Sequence, residues 1–144
     1  MKLSTRTRYG IRATLELAVN HGRGPLQTKV IAQRQNISVK YLEQLMALLK
    51  AGGIVRSIRG SRGGYVLARA PNEVRVSDVF NALEGPVVPV ECLEDRDYCA
   101  QAPDCMARYL WAQVQQAIQG VLESMTVQDL IDRAREGRTT DYQI

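Results

Sequence analysis

The run Ser38-Val-Lys-Tyr-Leu-Glu-Gln-Leu-Met-Ala-Leu-Leu-Lys-Ala-Gly-Gly53, with the turn Arg59-Gly-Ser-Arg-Gly-Gly64 after it, decides the fold. Ser38 is an N-cap by type, since its hydroxyl can accept from the orphan N–H groups of a first helical turn. Leu42, Leu45, Met46 and Leu49 fall at i, i+3, i+4 and i+7, the apolar face of a helix running to about Ala51. Lys40, Glu43, Gln44 and Ala47 occupy the opposite face, and Gly52-Gly53 supplies a left-handed stop. Ile54 to Ile58 and Tyr65 to Arg69 have the composition of two short strands, joined by a glycine-rich turn with Arg59 and Arg62 at its tip.

Upstream, apolar residues recur at Ile11, Leu15, Ala18 and Val19, with Ala13 and Leu17 beside them, which predicts a buried helix from Thr5 to about Asn20. His21-Gly-Arg-Gly-Pro25 breaks it. A short helix follows from Thr28, read as its N-cap, to about Gln35, with Val30 and Ile31 turned inward. Three helices and then a basic hairpin is the order of a winged helix-turn-helix.

Downstream, Val76 to Glu84 reads as a fourth helix with Val76, Val79, Phe80 and Leu83 inward, ended by Gly85-Pro86. A long helix from about Cys105 to Ser124 carries the stripe Leu110, Val114, Ile118, Val121, Leu122 and Met125. Thr126-Val-Gln-Asp129 resembles a capping box and opens a last helix to about Glu136, with Gly137 as its C-cap. The expected fold class is mainly α with a small β-hairpin wing. Residues 1–85 form the winged helix-turn-helix, 86–105 a cysteine-bearing loop, 106–137 a dimerisation helix and C-terminal helix, and 138–144 a frayed tail. Too little chain surrounds the long helix to bury its stripe within one subunit, so a homodimer is expected.

The net charge of +4 conceals an asymmetry: residues 1–75 hold 14 Lys/Arg and 3 Asp/Glu, whereas residues 76–144 hold 5 and 12. A net +11 on the first half suits a polyanion. No run approaches the roughly 18 apolar residues of a membrane span, and the basic N-terminus lacks an apolar signal core, so a cytoplasmic protein with no membrane partner is expected.

Double-stranded DNA at a roughly palindromic promoter site is the polyanion that a dimeric winged helix would take. Ser38, Lys40 and Tyr41 suit phosphate oxygens at the start of the third helix, and Glu43 and Gln44, one turn in, suit base edges. A carboxylate repels phosphate, so Glu43 selects against sequences as well as for them. Arg59, Ser61 and Arg62 in the wing suit phosphate or a narrow minor groove. Thr5, Thr7, Arg8 and Tyr9 add phosphate-binding groups at the start of the first helix, and Thr28 at the start of the second.

All three cysteines, Cys92, Cys99 and Cys105, fall within fourteen residues at C-x₆-C-x₅-C spacing. An odd number of reduced thiols in an acidic loop points to ligation of a soft metal centre. An iron-sulfur cluster tolerates this spacing and responds to oxidants. Structural zinc stays open, although the usual C-x₂₋₄-C pair is lacking, as does a regulator controlled by a protein partner with structural or zinc-bound cysteines. Catalysis is not indicated: there is one His, no Ser-His-Asp set and no phosphate loop leading into a helix.

These segments resemble the Rrf2 family of bacterial winged-helix regulators, specifically its IscR-like group with NsrR- and RirA-type members. The matching stretches are Met1 to Ala13, Ile37-Ser-Val-Lys-Tyr-Leu-Glu-Gln-Leu45, Val55-Arg-Ser-Ile-Arg-Gly-Ser-Arg-Gly-Gly-Tyr65, Val76 to Gly85, the three cysteines and Leu122 to Leu130. The resemblance implies a homodimeric transcription factor whose promoter choice follows an iron-sulfur cluster on Cys92, Cys99 and Cys105, with cluster biogenesis, iron supply or nitrosative and oxidative stress as the regulon. It also implies that Glu43 tunes base preference. The 2Fe-2S form is preferred over 4Fe-4S. The chain departs from the family at the fourth ligand, where Arg108 and Arg8 stand at the positions of a His and an acidic residue. Glu91, Glu94, Asp95, Asp97 and Asp104 are nearby oxygen donors.

Overall fold

The computed structural model describes residues 2–141 and contains six α-helices and one antiparallel hairpin. In chain order these are α1 (Thr5–Val19), α2 (Thr28–Gln35), α3 (Val39–Ala51), β1 (Val55–Ile58), β2 (Gly64–Leu67), α4 (Val76–Glu84), α5 (Met106–Ser124) and α6 (Val127–Asp141). The expected class, mainly helical with a β-hairpin wing, is the one observed. Short 3₁₀ turns at Pro71–Glu73, Glu91–Leu93 and Ala102–Asp104 punctuate the connections.

The face predicted for α3 is the centre of the core: Leu42, Leu45, Met46 and Leu49 are at most 1% exposed. Burying side chains of this size contributes about 1.5–3 kcal/mol each. Against them pack Ala13 and Leu17 of α1, Ile31 and Ala32 of α2, and Val79 and Leu83 of α4. The wing pairs Val55 with Leu67 and Ile58 with Gly64. It is also clamped at its base, where Leu26 and Tyr65 exchange backbone hydrogen bonds of 3.0 and 2.8 Å. Gly64 is required there: its φ is +151°, and a Cβ would collide with the Leu26 carbonyl.

Three expectations are corrected. On α1 the buried residues are Thr7, Gly10, Ala13, Thr14, Leu17 and Ala18, whereas Ile11 and Leu15 are only half-buried and Val19 is exposed. The helix turns small and hydroxyl-bearing residues inward because α4 comes very close. A Cβ on Gly10 would lie 2.5 Å from both Leu83 methyl carbons. At α2, the N-cap is Gln27 and Thr28 is the first helical residue, since Gln27 holds the extended backbone (φ −71°, ψ 144°) from which the helix starts.

The third correction concerns the C-terminus. Gly137 does not stop α6, which continues to Asp141; glycine ends a helix when it takes positive φ, and Gly137 is not among the residues that do. Residues 138–141 of the expected frayed tail are thus helical, and residues 142–144 lie outside the described residues. The start of α6 is capped as expected: Thr126 N–H donates to Asp129 Oδ2 at 2.9 Å and Asp129 N–H to Thr126 Oγ1 at 3.1 Å. These two bonds hold the Asp129 carboxyl below the ordinary range.

α6 returns to the first helices. Val127 and Ile131 belong to the same buried cluster as Leu42 and Leu17. Val76 N–H donates to the Met125 carbonyl and Val127 N–H to the Val74 carbonyl, both at 2.9 Å. α5 differs: none of its residues is buried, and Met106, Tyr109, Leu110, Trp111 and Val121 are exposed. No helix among the described residues is long and apolar enough to cross a membrane.

Candidate nucleic-acid interface and the cysteine segment

Four chain segments are brought together by short-range contacts that the sequence did not reveal. The start of α1 meets the start of α3 through Tyr9 and Tyr41, whose rings stack edge to face at 6.3 Å and 83°. Arg12 lies over the Tyr9 ring at 5.5 Å, a cation–π contact that fixes the ring from its other side. The residue before α2 meets the wing tip, where Gln27 Nε2 points at the Ser61 carbonyl at 3.5 Å. The Leu26–Tyr65 clamp holds the wing base against the same segment.

On this frame Ser38 caps α3 by accepting from Tyr41 N–H at 3.1 Å. Its hydroxyl proton stays free to donate. Lys40, Glu43 and Gln44 are exposed on the first turns of α3, away from its buried face. Arg59, Ser61 and Arg62 are exposed at the wing tip, Thr5 and Arg8 are exposed on α1, and Tyr9, Thr28 and Tyr41 are half-buried.

Thr7 is the exception among the expected contacts. It is 0% exposed, so it cannot meet a phosphate. Its hydroxyl donates to Glu84 Oε1 at 2.6 Å. Ser4, the N-cap of α1, accepts from Thr7 N–H at 3.1 Å and donates its own proton to the same carboxylate. Arg6 completes the set with a 3.2 Å ion pair to Glu84 Oε2. Ser4 and then Thr7 stabilise the ionised carboxylate, against a smaller opposing effect of burial, with Arg6 adding to them, so the Glu84 carboxyl titrates below its ordinary value. Only one sequence signal pointed at this residue, a carboxylate just before the Gly85-Pro86 break.

The helical content, the clamped wing and the polar outer face of α3 describe a winged-helix DNA reader. A family model described as an iron-dependent transcriptional regulator, Rrf2, matches residues 3–133. The chain belongs to the Rrf2 family. Among Rrf2 relatives, the HTH-type transcriptional regulator CymR of Bacillus subtilis (strain 168) is 45% identical over 130 residues, 90% of this chain and 89% of that one. The solved structure of CymR, the global cysteine regulator of B. subtilis, superposes with a TM-score of 0.77 at 44% identity, covering 92% of this chain and 98% of that one. IscR of T. potens superposes with a TM-score of 0.78 at 37% identity, covering 95% and 90%. As an Rrf2 protein the chain is a DNA-binding transcriptional regulator and not an enzyme. Matches bearing both names carry the family rather than its IscR-like subgroup.

The Rrf2 chain keeps its three cysteines as free thiols, Cys92 and Cys105 half-buried and Cys99 exposed. Their type and number suit three ligands of an iron-sulfur cluster, and exposed carboxylates at Glu91, Glu94, Asp95, Asp97 and Asp104 stand close in sequence for a fourth. Among the described residues no three or more His, Cys, Asp or Glu side chains are gathered as a metal site. A cluster therefore fits the donor set and requires the segment to close. Arg108 does not project a ligand: its Nε and an Nη each point to the Cys92 carbonyl at 3.4 Å. Cys105 is the residue from which α5 starts, without a side-chain cap.

Proposed function

We propose that this protein is a sequence-specific DNA-binding regulator, acting in the cytoplasm as a homodimer on a roughly palindromic promoter site, whose DNA recognition is controlled by an iron-sulfur cluster on Cys92, Cys99 and Cys105. The observation that carries the reading is the junction at Cys105. The last thiol of the segment is also the N-cap of α5, the one α-helix among those with described burial that has no buried residue. A second copy laid along α5 would cover Leu110 and Val121, and a change at the cysteines would act on the helix that sets the spacing of the two winged-helix units. Ser38, Lys40, Tyr41, Thr5, Arg8, Tyr9, Thr28, Arg59, Ser61 and Arg62 are assigned to phosphate and groove contact, and Glu43 and Gln44 to base edges.

A bound cluster supplies sensitivity to iron supply and oxidants. The chain supplies three thiolates and, from Glu91, Glu94, Asp95, Asp97 or Asp104, one oxygen ligand. A two-iron form suits this mixed set, because one iron can take two thiolates and the other a thiolate and a carboxylate. The test is anaerobic purification with iron and sulfide counts and a visible spectrum, then binding to a duplex selected from random sequence. A brown protein whose duplex preference changes in the Cys92→Ala, Cys99→Ala, Cys105→Ala triple variant supports the proposal. A colourless protein whose triple variant binds every duplex equally well removes it. That result would favour control by a protein partner, a reading that draws on the ungathered thiols and on the similarity to CymR.

A further inference from the structure

Glu84 sits where three parts of the molecule meet, and none of the contacts that define its role is local in sequence. Its carboxylate accepts from Ser4 and Thr7, the cap and first turn of α1, and pairs with Arg6. Thr7 is the most deeply buried polar side chain of the described chain, so this carboxylate is what satisfies it. One residue earlier, Leu83 packs on Gly10 so closely that no other side chain fits there. One residue later the chain turns at Gly85 (φ +83°) and enters the cysteine segment. That entry is tied to α5: Val87 is buried, and Gln115 Nε2 donates to its carbonyl at 2.7 Å. From the other end of the contact, α1 reaches α3 through the Tyr9–Tyr41 stack.

The distances thus trace one unbroken line from α5 through Val87 and Glu84 to the cap of α1 and on to the start of α3. Each link is a hydrogen bond or ring contact rather than a sliding apolar surface, so a shift at one end must break or move the next link. We propose that Glu84 is the positioning residue that passes the state of residues 86–105 to the DNA-contacting start of α1. This rests on the reading that the cysteine segment controls DNA binding. Glu84 itself faces inward from the DNA surface and touches no DNA group; it acts by holding Ser4 and Thr7, and through them the pose of Thr5, Arg8 and Tyr9. Gly85 and Pro86 make the transmission stiff, because the proline fixes its own φ and restricts the residue before it.

The test compares hydrogen exchange in the first turn of α1 for wild type and Glu84→Gln, each full-length, in three states: free thiols, anaerobically reconstituted with iron and sulfide, and alkylated with iodoacetamide. In the wild type, exchange at residues 5–9 should differ between free and occupied or alkylated cysteines by about tenfold, within the range usual for coupled sites. In Glu84→Gln that difference should fall to about twofold or less, while iron content, alkylation and far-ultraviolet circular dichroism match the wild type. A Glu84→Asp variant should restore part of the difference, which a merely destabilised helix would not show. Retention of the full difference in Glu84→Gln overturns the proposal, as does a wild type whose α1 exchange ignores both perturbations. Failure to take up iron removes the cluster reading alone, and the alkylated arm still decides on Glu84.

Discussion

Thr7→Val separates two roles that look alike in the sequence. Thr7 lies among Thr5, Arg8 and Tyr9 and has a side chain suited to phosphate, but the structure gives its proton to Glu84 at 2.6 Å and leaves it 0% exposed. Valine keeps the shape and the β-branch, so no cavity forms and the helical backbone is unaffected. What is lost is a hydrogen bond to a charged acceptor, worth about 1.5–3 kcal/mol when fully made. The Glu84 side chain is 24% exposed and keeps Ser4 and Arg6, so water and the remaining donors recover part of this. The expected cost is about 1–2 kcal/mol at neutral pH. Urea denaturation at fixed protein concentration should show a lower midpoint with an unchanged slope.

The same variant has a pH signature. Ser4 first, and then Thr7, lower the Glu84 carboxyl in the folded protein, so the stability it contributes is fully present above the unfolded value of about 4.3. It is lost as pH falls through the lower, folded value. The penalty of Thr7→Val should therefore be constant from neutral pH down to about pH 5 and shrink below that. DNA binding supplies the control: the log–log salt slope should be unchanged in Thr7→Val but shallower by about 0.9 in Arg8→Ala. Thr7→Val that is as stable as the wild type, or that loses salt slope as Arg8→Ala does, would falsify the burial argument.

Three further outcomes are expected. Arg59→Ala and Arg62→Ala should each reduce the salt slope by about 0.9 per phosphate lost, read by fluorescence anisotropy across a salt series; two unchanged slopes would take the wing out of the interface. Glu43→Ala should flatten discrimination between the selected duplex and its single-base variants by roughly tenfold at one position, because a base-edge contact is worth about 1–3 kcal/mol; an unchanged preference makes Glu43 solvent surface. Leu110→Asp, at a site 53% exposed on α5, should leave the chain folded but monomeric by sedimentation, and a persistent dimer would place the interface elsewhere.

What the sequence made legible follows from where each side chain finds its partner. Leu42, Leu45, Met46 and Leu49 read correctly because an apolar stripe at helical spacing is buried whatever packs against it. The α1 face was misjudged because its partners come from far along the chain. Thr7 is buried by a carboxylate 77 residues away, and Gly10 by Leu83. A periodicity of apolar residues cannot register an interface made of a hydroxyl, a glycine and a threonine. The candidate DNA contacts were nameable by type, but their juxtaposition rests on the Tyr9–Tyr41 stack and the Leu26–Tyr65 bridge, which no local pattern encodes. The cysteines were visible from spacing alone, whereas their present separation depends on a segment held by few contacts to the core.

The return of α6 changes how that segment must work. Residues 85–125 leave the core at the C-terminal end of α4 and come back at its N-terminal end, where Arg75 bridges Thr126 and Val76 donates to the Met125 carbonyl. The Arg75 guanidinium adds a 3.2 Å bond to the Glu123 carbonyl in the last turn of α5. α4 is thus gripped at both ends by the excursion that carries the cysteines. Its inner face, Val79 and Leu83, belongs to the same buried cluster as α1 and α3. A flexible loop tethered at one point could rearrange without consequence, but an arm anchored at both ends of one short helix cannot. Any reordering of the cysteine segment that shifts α5 must therefore either strain those anchors or carry α4 with it, and close-packed interiors respond by rigid displacement rather than by local yielding.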